Sequence, residues 1–167
     1  MIRLRKADIV LASPRTLVLS PGALVYRLLL RVRYVHSMLY LGGGRMIHTT
    51  TKDGVVVARL PRKLHKKERY VILRAPDISS ERRQKIVEKA LEFRGSKMDH
   101  AGLMSNVPAR LFGLKKPLIR MEKNRLWCSK LIYSAYLAAD VELVPAAKAK
   151  VITSDDLIKS PRLRTIK

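Results

Sequence analysis

Apolar residues follow two patterns along the chain: short β-branched runs as far as Arg74, and helical spacing beyond it. Ala7–Ala12, closed by Ser13-Pro14, predicts a first strand. Tyr34–Leu41 and Arg45–Thr51 are rich in Tyr, Val, Ile and Thr and flank Gly42-Gly43-Gly44, which predicts a β-hairpin. Asp53-Gly54 marks a second tight turn before a strand over Val55–Leu60, so these strands form a meander. Tyr70–Arg74 predicts another strand, stopped by Pro76. Two segments interrupt the series. Ala23–Arg33 predicts a helix after the Pro21-Gly22 break, and Arg59–Arg69 reads as a basic linker carrying His65.

After Pro76 the period changes. Asp77, Ser79 and Ser80 are candidate N-caps, Glu81 suits a first turn, and Ile86, Val87, Ala90, Leu91 and Phe93 form an apolar stripe that ends at Gly95. The Gly- and Pro-punctuated segment Ser96–Pro117 predicts a short helix around Ala101–Met104, and Arg125–Ala139 predicts a strong one. Ser154-Asp155-Asp156-Leu157 carries a capping signature for a last short turn. Strands followed by helices, with no internal repeat, make an α+β class. At 167 residues, the chain is expected to be one domain over 1–167 with a proper core.

Charge adds what periodicity cannot. Lys plus Arg number 35 against 13 Asp plus Glu, for a net charge of +22. A field of that sign suits anionic partners: an anionic envelope polymer, lipid or nucleic acid. Aromatic residues are only 5% and do not interleave with the basic ones, which disfavours a single-strand stacking platform. The most apolar stretch, Leu17–Leu30, is broken by Pro21, Gly22 and Arg27, so no membrane span is predicted. Asp8 interrupts the short apolar run after Arg3, Arg5 and Lys6, so no signal peptide is predicted either. The sequence names no compartment; cytoplasm or virion is the expectation.

The single cysteine rules out an intramolecular disulfide framework. Cys128 lies near the start of its predicted helix, and Leu131, Ile132, Ala135, Tyr136 and Ala139 follow at steps of three and four. The thiol therefore lies on the buried face, at the positive end of the helix dipole, where a thiolate is favoured. A core cysteine fits the same stripe, so position alone does not make a nucleophile. The hairpin adds two imidazoles, His36 and His48, twelve residues apart around the triple glycine. With a three-residue loop, paired residue numbers sum to an even value and both rings share one sheet face. A two-residue loop puts them on opposite faces. On one face their Cβ atoms lie about 5 to 8 Å apart, close enough for one ring to orient the other. His65 and His100 read as structural.

These residues carry a resemblance. His36-Ser37-Met38-Leu39-Tyr40-Leu41-Gly42 resembles the histidine strand of the NlpC-type cysteine peptidase superfamily, in its circularly permuted YaeF/YiiX-like branch. Four more pieces agree in order. Ala7-Asp8-Ile9-Val10-Leu11 resembles that branch's opening "GDIVL", with Ala7 for the usual glycine. Met46-Ile47-His48, followed by Asp53-Gly54-Val55, resembles the strand bearing the third polar residue. Trp127-Cys128-Ser129-Lys130-Leu131-Ile132 resembles the nucleophile motif "CSELV", with Lys130 for the common Glu, and Ile152-Thr153-Ser154-Asp155-Asp156-Leu157 resembles "ITPSDL". Met98-Asp99 stands where a Tyr-Asp pair is common, and His48 stands where many permuted members have Glu.

The resemblance implies a permuted papain-like fold, with an antiparallel sheet packed against helices and the nucleophile at a helix N-terminus. It implies Cys128 as nucleophile, His36 as general base and acid, and His48 as the group that orients His36. The Cys128 backbone N–H would help hold the oxyanion, and no cofactor is expected. Activity would be hydrolysis of an amide, peptide or ester bond, such as those in cell-wall peptidoglycan, or acyl transfer on lipids. Two other classes compete. One is a metal site built from His36, His48 and Cys128, which lacks HxxxH or CxxC spacing and a clear fourth ligand. The other is a basic nucleic-acid- or virion-associated protein on a hydrolase-like fold.

Overall fold

The computed structural model describes residues 3–14, 28, 31–60, 68–113 and 125–166. In chain order the elements are β1 (Ile9–Pro14), β2 (His36–Gly42), β3 (Arg45–Thr50), β4 (Gly54–Arg59), β5 (Glu68–Arg74), α1 (Ser80–Glu92), β6 (Lys97–Met98), α2 (His100–Leu111), β7 (Arg125–Leu126), α3 (Cys128–Leu137), α4 (Ala146–Ala149), α5 (Ser154–Ile158) and β8 (Arg164–Ile166). Six strands form one antiparallel sheet in the order β4-β3-β2-β1-β5-β8, and β6 and β7 pair in parallel. The class is mixed α+β. The helix expected over Ala23–Arg33 and the basic linker with His65 lie largely outside the described residues, as do 114–124.

One face of the sheet makes the core. Along β2 the buried positions alternate, so Ser37, Leu39 and Leu41 face inward while His36, Met38 and Tyr40 are half-buried. Ile9, Leu11, Ile47, Val55 and Leu73 join them from neighbouring strands, beneath Ile86 and Ala90 of α1 and Leu131, Ile132 and Tyr136 of α3. Each such Ile or Leu contributes about 1.5–3 kcal/mol by leaving water, so this layer dominates the stability. Leu91, counted by spacing with the α1 stripe, is 40% exposed, because it sits a hundred degrees round the helix from buried Ala90.

Local signals explain the ends of α1. Ser79 Oγ accepts from the Arg82 N–H at 3.3 Å, and Gly95 takes the positive φ of 84° that closes the segment. Two other helices differ from their predicted bounds. α2 continues from His100 to Leu111 through Pro108, which removes one intrahelical N–H but does not end the helix. α3 begins at Cys128 rather than Arg125, because Arg125 and Leu126 are extended and pair with Lys97 and Met98. This short pairing brings Cys128 to the first helical position.

Ala7 adopts φ 65°, the left-handed region that favours glycine. Its N–H donates to Tyr40 O at 2.9 Å and its carbonyl accepts from Tyr136 Oη at 2.5 Å. Two partners thus fix a conformation that costs a non-glycine residue about 1–2 kcal/mol. The departure from glycine noted in the sequence falls on a strained position.

Candidate active site

The hairpin sets the two histidines. Gly43 and Gly44 form a two-residue turn, with φ of 58° and 69°, as a hairpin of this twist requires. Such a turn alone would place His36 and His48 on opposite faces. A bulge prevents it: Gly42 pairs with Arg45, but Tyr40 pairs with Met46 and Leu39 with Ile47, so Leu41 is the extra residue. Beyond the bulge, paired numbers sum to an even value, and the two rings share a face after all. His36 Nε2 and His48 Nδ1 lie 3.0 Å apart, the rings edge to face at 83°.

α3 delivers the thiol. It packs on β2 and β3, and Cys128 stands half-buried at its first position. N–H groups in the first turn of a helix have no intrahelical partner, so this end offers donors and a positive dipole. Trp127, fully buried, fixes the entry: its Nε1 donates to Ile152 O at 2.9 Å. The His36 ring lies near enough to the Cys128 thiol to lower its pKa. Since Nε2 of that ring meets His48, Nδ1 is the nitrogen left for sulfur.

The electrostatics favour an ionised thiol. Burial is the largest single influence and pushes Cys128 up, but the hydrogen bond and charge of His36, with the Ser37 hydroxyl and backbone N–H, outweigh it and hold the thiol at about 6. His48 moves the other way for a base. Burial first, and then the neighbouring His36 charge, lower it to about 4. It stays neutral where Cys128 titrates and so keeps one acceptor nitrogen, and Nδ1, facing His36 Nε2, is the nitrogen placed to orient that ring.

In the sequence Ser37 is a member of the histidine-strand motif with no role of its own. Strand alternation turns it away from His36, onto the core face that packs against α3. Its Oγ is buried and has no partner at hydrogen-bond geometry, although it lies near enough to the thiol to lower its pKa. Thr49 Oγ1, beside His48, and Asp99 Oδ2 are likewise buried without a hydrogen bond. Lys130, at the position where the resembled motif has Glu, lies over the Trp127 ring at 5.1 Å. Burial lowers its pKa and Asp99 opposes that shift. His100 Nε2 is 3.2 Å from Thr51 O, and His65 lies outside the described residues. Among the described residues, no group of three or more His, Cys, Asp or Glu is arranged to hold a metal ion, and no helix is long and apolar enough to cross a membrane.

No family model matches this sequence, and no curated protein matches it by sequence. Its fold is similar to the crystal structure of the metalloprotein yiiX (DUF1105) from Escherichia coli O157:H7. The TM-score is 0.68 at 16% identity, covering 98% of this chain and 96% of that one. The likeness is one of fold.

Proposed function

We propose that residues 1–167 form a single-domain thiol hydrolase of the circularly permuted, NlpC-type papain-like class, acting through Cys128, His36 and His48 on an amide, peptide or ester bond. One observation carries the reading: the His36 and His48 rings meet at 3.0 Å, and His36 acts on a thiol that stands at a helix N-terminus. A nucleophile, its base and the group that orients the base are the parts acyl transfer needs.

The chemistry runs in two halves. Cys128 Sγ attacks the carbonyl carbon, a C–S bond forms, and the Cys128 N–H stabilises the oxyanion. His36 passes the proton it took from the thiol to the leaving amine or alcohol as that bond breaks. Water then attacks the thioester, His36 accepts its proton, and the C–S bond breaks to restore the thiolate. A lipid hydroxyl or amine in place of water makes the same steps an acyl transfer. The +22 charge supports an anionic envelope-type substrate. A metal held by the same three residues is the less favoured reading, because His36 Nε2 and His48 Nδ1 point at each other.

Iodoacetamide labelling across pH tests it. The midpoint is expected near 6 and unmoved by a chelator. A midpoint at or above about 8.5, the value of a free thiol, would sink the nucleophile assignment. A midpoint that moves with the chelator would favour the metal.

A further inference from the structure

A cationic cavity is lined by residues a few positions along the chain from His48 and Cys128 and takes no part in the steps above. It has a volume of about 360 Å³ and opens between the β3–β4 turn, the segment after α1, and the β6–β7 pair. Lys52, Lys97, Arg125 and His100 line it, with Asp53 the one carboxylate among its described lining residues. The lining cations outnumber that carboxylate, and a surplus of positive charge suits an anion such as a phosphate group. Neither Lys52 nor Lys97 is in an ion pair among the described residues.

The arrangement is built rather than incidental. Val55 N–H donates to Ser96 O at 2.8 Å and Gly95 N–H to Val55 O at 2.9 Å, so the start of β4 is locked to the chain leaving α1. Gly54 permits this approach, since a Cβ there would collide with Ser96 O. The parallel register then sets Lys97 directly beside Arg125.

The cavity also lies close to the chemistry. Thr51, on its wall, is three residues beyond His48, and Arg125 is three residues before Cys128. At roughly 3.3 Å per extended residue, each connection spans at most about 10 Å. We propose that the cavity is a subsite for a phosphate-type anion, carried by the substrate whose acyl carbon reaches Cys128. The second clause rests on the thiol reading above; anion binding does not.

The test titrates inorganic phosphate into the full chain at low salt, by calorimetry and by the His100 ring resonances. Saturable binding is expected, weakened at least tenfold in Lys52→Ala/Lys97→Ala and unchanged in Lys85→Ala/Lys159→Ala, which removes the same charge elsewhere. Equal losses in both variants, or no saturation in the wild type, would overturn the subsite. Vesicles of phosphatidylcholine with and without phosphatidylglycerol separate the sources. If phosphate displaces the wild type from anionic vesicles and only the cavity variant binds them weakly, the anion is a lipid headgroup. If both variants bind vesicles alike while phosphate binding differs, it is a soluble phosphate compound. Phosphate binding with a free-thiol labelling midpoint at Cys128 would keep the anion site and remove the thiol chemistry.

Discussion

Two buried polar clusters sit at opposite ends of the β1–β2 pair and are finished differently. Near Tyr40, Asp8 is fully buried and fully answered. It accepts from the Arg5 N–H at 2.7 Å and from Arg74 Nε and Nη2 at 2.8 and 2.6 Å, with Arg83 3.9 Å away. At the other end Ala12 pairs with His36, and there Ser37 Oγ, Thr49 Oγ1 and Asp99 Oδ2 are buried without hydrogen bonds. Buried polar groups are normally satisfied, so these orphans set this end of the pair apart from the Asp8 end. One cluster ties the sheet together. The other leaves its polar atoms unanswered.

Substitutions should therefore separate stability from chemistry. The largest effect is on turnover: Cys128→Ala is expected to abolish it while moving stability by less than about 1 kcal/mol, since Ala replaces most of the packing. A steady-state assay on an acyl substrate beside urea unfolding measures both. Asp8→Ala is the mirror image. It strands Arg74 and should cost about 3–5 kcal/mol by urea unfolding, with the Cys128 labelling midpoint unchanged in the folded protein. If Asp8→Ala shifts that midpoint, the two ends of the sheet are coupled and the contrast fails.

His48 sharpens the comparison from within the site. His48→Ala should be milder than His36→Ala, because an unoriented ring still samples the working tautomer, and His48→Glu should retain more activity than His48→Ala. The double change to Ala should cost little beyond His36→Ala, since the two act as one unit. Losses that simply add would break the assignment. Acid acts in the same direction on stability. His48 is depressed from about 6.5 to about 4, so the unfolded chain binds its proton first and stability falls as pH drops across that window. Unfolding midpoints of His48→Ala and wild type, compared between pH 7 and 4, should converge toward the acid end.

The smallest effect belongs to Ser37. Ser37→Ala removes an orphaned hydroxyl, so stability should be unchanged or rise by up to about 1 kcal/mol. The labelling midpoint of Cys128 should rise by a few tenths to about one pH unit, because one stabiliser of the thiolate is gone. A clear loss of stability without a shift in midpoint would make Ser37 a packing residue like any other on that face.

The sequence alone was enough for the elements whose cause is local. Gly42-Gly43-Gly44 with its β-branched flanks gives the hairpin, Ser79 and Gly95 bound α1, and the three-four spacing after Cys128 gives α3. Turn chemistry, capping and periodicity act within a few residues, so they can be read there. What depended on distant partners could not be. β8 forms because Arg164–Ile166 meets β5, some ninety residues earlier, and Cys128 becomes the first residue of α3 because Lys97 and Met98 draw Arg125 and Leu126 into a strand. The shared face of His36 and His48 rests on the Leu41 bulge, a single-residue register choice that the triple glycine permits but does not impose. Tertiary packing alone brought the thiol to His36 across 92 residues of chain and set Ser37 beside it from the opposite face of the strand. A strand's own pattern specifies which side chains share a face; what covers that face is decided by the rest of the fold.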